Sequence, residues 1–188
     1  MESRLADDRS PRRFRRHEYD RMVAAGLFDG EQVELLGGVV VEMSPSGPVH
    51  AHVITVLAEL LRAATAGRAV VREEKPFAAG EHDEPEPDVA VVPRGDYWEA
   101  HPDRAFLVVE VADTSLRTDR RVKPSIYAAA GVPEYWVVNL RDALIEVHTD
   151  IVSGEYTKIV PGREGESITL AALDGATIEI SRVFRHDV

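Results

Sequence analysis

Two short runs constrain this chain more than any other part of it. Val89-Ala90-Val91-Val92 is fully apolar and stops at Pro93, and Ala105-Phe106-Leu107-Val108-Val109-Glu110-Val111 is apolar apart from one glutamate. Neither alternates apolar with polar residues, as a strand with one wet face would. Both predict central strands covered on two sides. Each also carries an acid where an acid is costly: Asp88 stands immediately before the first run and Glu110 lies inside the second.

The remaining pattern sorts into elements by period and punctuation. His17 to Ala25 carries Tyr19, Met22 and Val23 on one side and meets Gly26, which predicts a short helix. Gln32–Leu36 and Val39–Met43 flank Gly37-Gly38 and predict a hairpin. Val53, Val56, Leu57, Leu60 and Leu61 recur at helical spacing, so an amphipathic helix is expected from His50 to about Ala64. Arg68 to Phe77 reads as a strand, and a helix after the second apolar run is expected to reach Ala130 and close at Gly131. Glu134–Asn139, Leu144–His148, Tyr156–Val160 and Thr177–Ile180 read as later strands. Helices interrupt strands throughout, so the expected class is α/β (α+β), a mixed central β-sheet flanked by helices. At 188 residues the chain suits one domain, expected over 14–188 after a flexible basic arm over 1–13.

Composition narrows the chemistry. The chain has no cysteine, which excludes disulfide scaffolds, thiolate metal sites and thiol nucleophiles. No apolar run approaches the roughly 20 residues of a membrane span, so a cytoplasmic protein with no membrane partner is expected. A net charge of −11 argues against a protein that coats nucleic acid by bulk attraction. It is compatible with an enzyme that collects cations in an acidic site and meets a polyanion there. GxGxxG, phosphate-loop, HExxH and GxSxG motifs are all absent.

A carboxylate in a central strand costs several kcal/mol unless a cation or hydrogen-bond donors compensate it. Taken singly, Asp88 reads as a cap on the turn after Pro87, and Glu110 as the partner of a nearby arginine. Taken together, on strands that neighbour each other, they make one oxygen-rich site, which suits Mg²⁺ or Mn²⁺. Lys123 strengthens the second reading, being one of three lysines among 22 basic residues.

These residues carry a resemblance. Pro87-Asp88 followed by Glu110 in a Val-Val-Glu-Val strand resembles the PD-(D/E)XK nuclease superfamily. Glu34-Leu35-Leu36-Gly37-Gly38, Met43-Ser44-Pro45, His50, Lys123 and the string Tyr127-Ala128-Ala129-Ala130-Gly131-Val132-Pro133-Glu134-Tyr135-Trp136 narrow it. In that order and spacing, over about residues 14–150, they resemble the Uma-type restriction-endonuclease-like family of bacteria. The resemblance implies a metal-dependent endonuclease hydrolysing DNA, with Asp88, Glu110 and the backbone carbonyl of Val111 as metal ligands. The usual motif lysine would stand two residues after Glu110, where this chain has Ala112; the resemblance puts that lysine on the following helix, at Lys123. Pro124 directly after it implies that the helix begins or kinks there.

Glu34 matches a family acid that would hold metal or water, against the plain reading of a hairpin surface residue. His50 matches a histidine at a helix start, with substrate contact weighed against an exposed side chain. Arg117, Arg120 and Arg121 flank the site in sequence as candidate phosphate contacts, or as a solvated helix start. Tyr127 is expected to be half-buried on an amphipathic helix, and Tyr135 and Trp136 to be core. Two other readings stand beside the nuclease: a non-catalytic binding module on the same fold, and a metal-dependent hydrolase of small phosphate esters. A homodimer is expected from the family and from the strands near the C-terminus, whose open edges favour pairing.

Overall fold

The structure is a computed structural model and describes residues 10–184. In chain order, α1 (Arg16–Ala24) precedes a hairpin of β1 (Val33–Leu36) and β2 (Val39–Glu42). Then come α2 (Pro48–Thr65), β3 (Ala69–Glu73), β4 (Val89–Pro93) and β5 (Leu107–Ala112). Two short helices follow, α3 (Leu116–Arg121) and α4 (Lys123–Ala129), before β6 (Tyr135–Asn139), β7 (Leu144–Val152) and β8 (Glu155–Arg163). The last elements are β9 (Ser167–Thr169), β10 (Thr177–Glu179) and α5 (Ile180–Val183). A six-stranded sheet in the order β3-β4-β5-β6-β7-β8 forms the centre. Its pairs are antiparallel except β5 with β6. A parallel step needs a crossover connection, and α3 and α4 supply it.

The two apolar runs lie where their composition predicts, as adjacent inner strands with every residue of β5 buried. Alternate side chains leave the sheet on opposite faces. One face sends Val89, Val91, Leu107, Val109 and Val111 against Leu57 and Leu61 of α2, with Ile178 and Ile180 closing the far side. The other sends Ala90, Val92, Val108 and Ala112 against Phe77, Tyr127 and Tyr135. Glu110 belongs to this second face, between Val108 and Ala112.

Several boundaries differ from the sequence expectation, each for a local reason. The third strand ends at Glu73 rather than Phe77, because Glu74 turns to φ +47° and Pro76 follows; Phe77 then plugs the second layer. The single helix expected before Gly131 is two, broken at Val122. Pro124 has no N–H and its ring clashes with the carbonyl four residues back, so α4 starts afresh with Pro124 in its first turn, where no N–H is needed. Strands β7 and β8 run longer than expected, joined by Ser153-Gly154 with both φ positive, the geometry of a tight hairpin turn. The β9 strand and α5 were not expected at all.

Residues 1–9 of the expected arm lie outside the described residues. Residues 12–16 are tied down: Arg12 pairs with Glu18, and the Phe14 N–H donates to Gly38 O at 2.9 Å. Gly38 has to be glycine here, since φ is +75° and a Cβ would stand 2.6 Å from that of Arg13.

Candidate active site

The β4–β5 register places Val89 opposite Val109. One step further along the same antiparallel pair, Asp88 stands opposite Glu110, and paired residues project from the same face. Both acids therefore leave the sheet on the side covered by α4. Helices α3 and α4 return three groups. Lys123 Nζ lies 3.0 Å from Glu110 Oε1 and 3.4 Å from Glu34 Oε2, and the Tyr127 hydroxyl donates to the same Glu110 oxygen at 2.6 Å. Asp119, four residues before Lys123, is buried beside them and accepts from the Ser115 hydroxyl. Spacing of four puts 123 and 127 on one side of successive turns of α4, and Asp119 joins them from the separate helix α3.

Glu34 comes from β1, so the small hairpin reaches over the end of the central strands. Its carboxylate accepts the Glu86 N–H at 3.2 Å as well as facing Lys123. Asp88 is held from two directions: the Val111 N–H donates to Oδ2 at 2.6 Å, and His50 Nε2, from the first turns of α2, stands 3.3 Å from the same atom. Glu110, Glu34 and Lys123 are 3 %, 5 % and 6 % exposed, so the group is deep rather than superficial.

Burial sets the electrostatics. It pushes the Glu110 carboxyl well above the usual carboxylate range, and the neighbouring Asp88 charge pushes the same way while Lys123 opposes it. Burial also lifts Asp119, again against the pull of Lys123. For Lys123, burial alone would lower the ammonium, but Glu110, Glu34 and Asp119 outweigh it and hold it above the ordinary lysine range. The hydrogen bond to Asp88 raises His50 despite its partial burial, with the Val111 backbone adding to it. Burial takes the Tyr127 hydroxyl well up, so it serves as a donor and not as a phenolate.

Oxygen donors for a metal are present in the right chemistry. Both donors to Glu110 use Oε1, and both partners of Asp88 use Oδ2. Among the described residues, no protein donor is bonded to Glu110 Oε2 or to Asp88 Oδ1, so one oxygen of each acid is uncommitted. Two carboxylates plus waters are what Mg²⁺ commonly takes from a protein. Among the described residues, no three or more His, Asp or Glu side chains gather round one ion position. The fit therefore rests on the pair.

The group opens into a cleft of about 940 Å³ between the β1–β2 hairpin and the start of α3. Asp88, Glu110, Glu34, His50 and Lys123 all line it. Arg117, Arg120 and Arg121 do not: Thr118, Asp119, Val122 and Lys123 face the cleft and leave the arginines on the other side of the helices. Arg120 instead pairs with Glu146 of β7.

The structure thus brings Asp88, Glu110, Lys123, Glu34 and His50 together and leaves the three arginines out. The ordinary partner expected for Glu110 was an arginine; its partners are a lysine and a tyrosine. Tyr127 is fully buried, not half-buried, and Asp119, read only as part of a solvated helix start, is 1 % exposed. The 123-127 spacing is the sequence signal for Tyr127, whereas Asp119 lies across the helix break and had none. Tyr135 and Trp136 are core, as expected.

A family model described as "Uma2: Putative restriction endonuclease" matches residues 16–181. Among solved structures, the chain is similar to one described as a putative nuclease belonging to DUF820 from Anabaena variabilis ATCC 29413, with a TM-score of 0.67. That match has 11 % identity and covers 81 % of this chain and 89 % of the other, which shows a shared fold. A search of curated proteins gave no match. With nearly its whole length matched, and an acid pair and a lysine facing one cleft, the chain belongs to the Uma2 putative restriction endonuclease family.

Proposed function

We propose that this protein is a metal-dependent endonuclease that hydrolyses phosphodiester bonds in DNA. The observation that carries the reading is the meeting of Asp88, Glu110 and Lys123 from two strands and a helix in one cleft. In this reading Asp88 and Glu110, each with one uncommitted oxygen, would hold Mg²⁺ or Mn²⁺, which would supply a lowered pKa for a water and neutralisation of phosphate charge. The Val111 N–H and His50 fix the Asp88 carboxylate by its other oxygen. Tyr127 and Lys123 fix Glu110 in the same way. Lys123 keeps its proton throughout, so it acts as a charge that orients the attacking water and steadies the developing oxyanion, not as a base. Water adds to phosphorus and gives a proton to solvent, the P–O bond to the leaving sugar oxygen breaks, and that oxygen takes up a proton from solvent; no covalent enzyme intermediate forms.

The proposal extends to a cytoplasmic location, which a cysteine-free chain suits. It also includes a homodimer joined along the outer edge of β8, checked by light scattering on the eluted protein. No helix among the described residues is long and apolar enough to cross a membrane.

Plasmid incubated with the purified protein in Mg²⁺ or Mn²⁺ should be cut, and Asp88→Ala and Glu110→Ala should abolish cutting. Cleavage that persists in both variants would sink the assignment.

A further inference from the structure

The cleft that holds the acids also has a wall, and the wall points to the form in which the substrate arrives. In the β1–β2 register, Val41 stands opposite Glu34 and Val39 opposite Leu36, so these side chains share the hairpin face that carries Glu34 to Lys123. Val39 is 41 % exposed, and Val122 across the cleft is 43 % exposed. An apolar surface left open beside a buried ionic centre invites an apolar plate rather than a phosphate. Among the described residues, eight carboxylates line the same cleft against two lysines and no arginine. Of those lysines, Lys123 is committed to Glu110 and Glu34, and Lys75 donates to the Glu74 carbonyl. A duplex carries one charge per about 1.7 Å of axis, twice the density of a single strand, and among the described residues this cleft offers no row of Lys and Arg to offset it. Its volume of about 940 Å³ falls in the range of pockets that engulf a small ligand.

We infer that the strand to be cut enters this site unpaired, with one phosphate at the Asp88–Glu110 pair and the adjoining base laid against Val39 and Val41. The base would be held by apolar contact of its face with the two valines, a face that every base offers, so the site selects an unpaired strand and not a sequence. The inference rests on the nuclease reading of the same site, and it names the substrate class that reading leaves open.

The test uses the intact protein in Mg²⁺ and one end-labelled DNA sequence in three forms: single-stranded, fully paired, and paired around a central unpaired bubble. The single strand and the bubble should be cut at least ~10-fold faster than the duplex, since the duplex must first unstack a base at a cost of a few kcal/mol. The variant carrying Val39→Thr and Val41→Thr keeps shape and strand preference while wetting the wall. It should raise KM for the single strand roughly tenfold, with kcat nearly unchanged. Anisotropy of the labelled strand with the wild type and the variant gives the same comparison without turnover. Duplex cut as fast as single strand, or a wall variant with unaltered KM and binding, overturns the inference while leaving the nuclease intact. No cutting of any form removes the nuclease reading and this inference with it.

Discussion

The two faces of the central sheet are built from the same strands and have been put to opposite uses. On the α2 side, Leu107, Val109 and Val111 of β5 meet Leu57 and Leu61 in a layer that is apolar throughout. On the α4 side, Val108 and Ala112 of the same strand flank Glu110, and a lysine, a tyrosine and a second buried acid close over it. One face lowers the free energy of the fold by removing hydrocarbon from water. The other takes charges out of water, which returns little net stability even when they are paired. The difference teaches where to expect loss of stability and where to expect loss of chemistry.

Variants on the two faces should separate these effects. The largest change is expected from Glu110→Gln, which retains the shape of the side chain and removes its charge. DNA cleavage should fall by at least ~10³-fold, as for loss of a group that acts on developing charge, while the thermal midpoint stays level or rises, because burial already disfavours the Glu110 charge and Glu34 still faces Lys123. A fall in the midpoint with activity retained would reverse the assignment of the two faces. Next, Leu57→Ala on the apolar side should cost about 2–5 kcal/mol in denaturant unfolding, with cleavage per folded molecule unaltered.

A smaller effect tests how the acid is aimed. Tyr127→Phe removes the 2.6 Å hydrogen bond to Glu110 Oε1 and leaves the ring packed. Mg²⁺ affinity by calorimetry should weaken about tenfold, the low end for partners of metal ligands. The same titration should show affinity rising with pH. Burial raises the Glu110 carboxyl, so at low pH the cation must displace its proton. Affinity that is flat with pH would place the metal elsewhere.

The smallest expected effect lies beside the hairpin, where Glu84 bridges to Leu35 of β1. Burial, with the nearby Asp20 carboxylate, brings Glu84 up to about 7 from an ordinary 4.5. An acid raised on folding stabilises least when ionised: its penalty is absent below about 4.5, grows as pH rises, and is complete above about 7. Glu84→Gln should therefore raise the thermal midpoint by a few degrees at pH 8 and change it little at pH 4. Equal shifts at both values would trace the effect to packing.

Much of this arrangement could be read from the chain before folding. The two unbroken apolar runs identified the inner strands, and Gly37-Gly38 the hairpin, because period and turn chemistry are local properties. Asp88 and Glu110 were legible as costly acids, and Lys123 through its order in a family pattern. The burial of Asp119 and Tyr127 was not, although the spacing of Lys123 and Tyr127 was visible. Whether a helical stripe faces water or a neighbouring carboxylate depends on how α3 and α4 dock, and Pro124 breaks the phase on which a helical projection relies. The arginines at 117, 120 and 121 show the same limit from the other side. Adjacency in sequence suggested a basic rim, but helical rotation turned them away from the cleft and gave Arg120 to Glu146 on a distant strand.

The sequence alone determined the inner strands, the turn between β1 and β2, the oxygen-only chemistry of a cysteine-free chain, and the two acids that needed a reason to be there. Tertiary structure decided which oxygens those acids leave free. That choice required β4 and β5 in register, the hairpin bringing Glu34 from far away in the chain, and α4 aiming Lys123 and Tyr127 at one atom of Glu110. Each partner is remote in sequence, and the energy that holds them in place comes from the apolar face on the other side of the same strands.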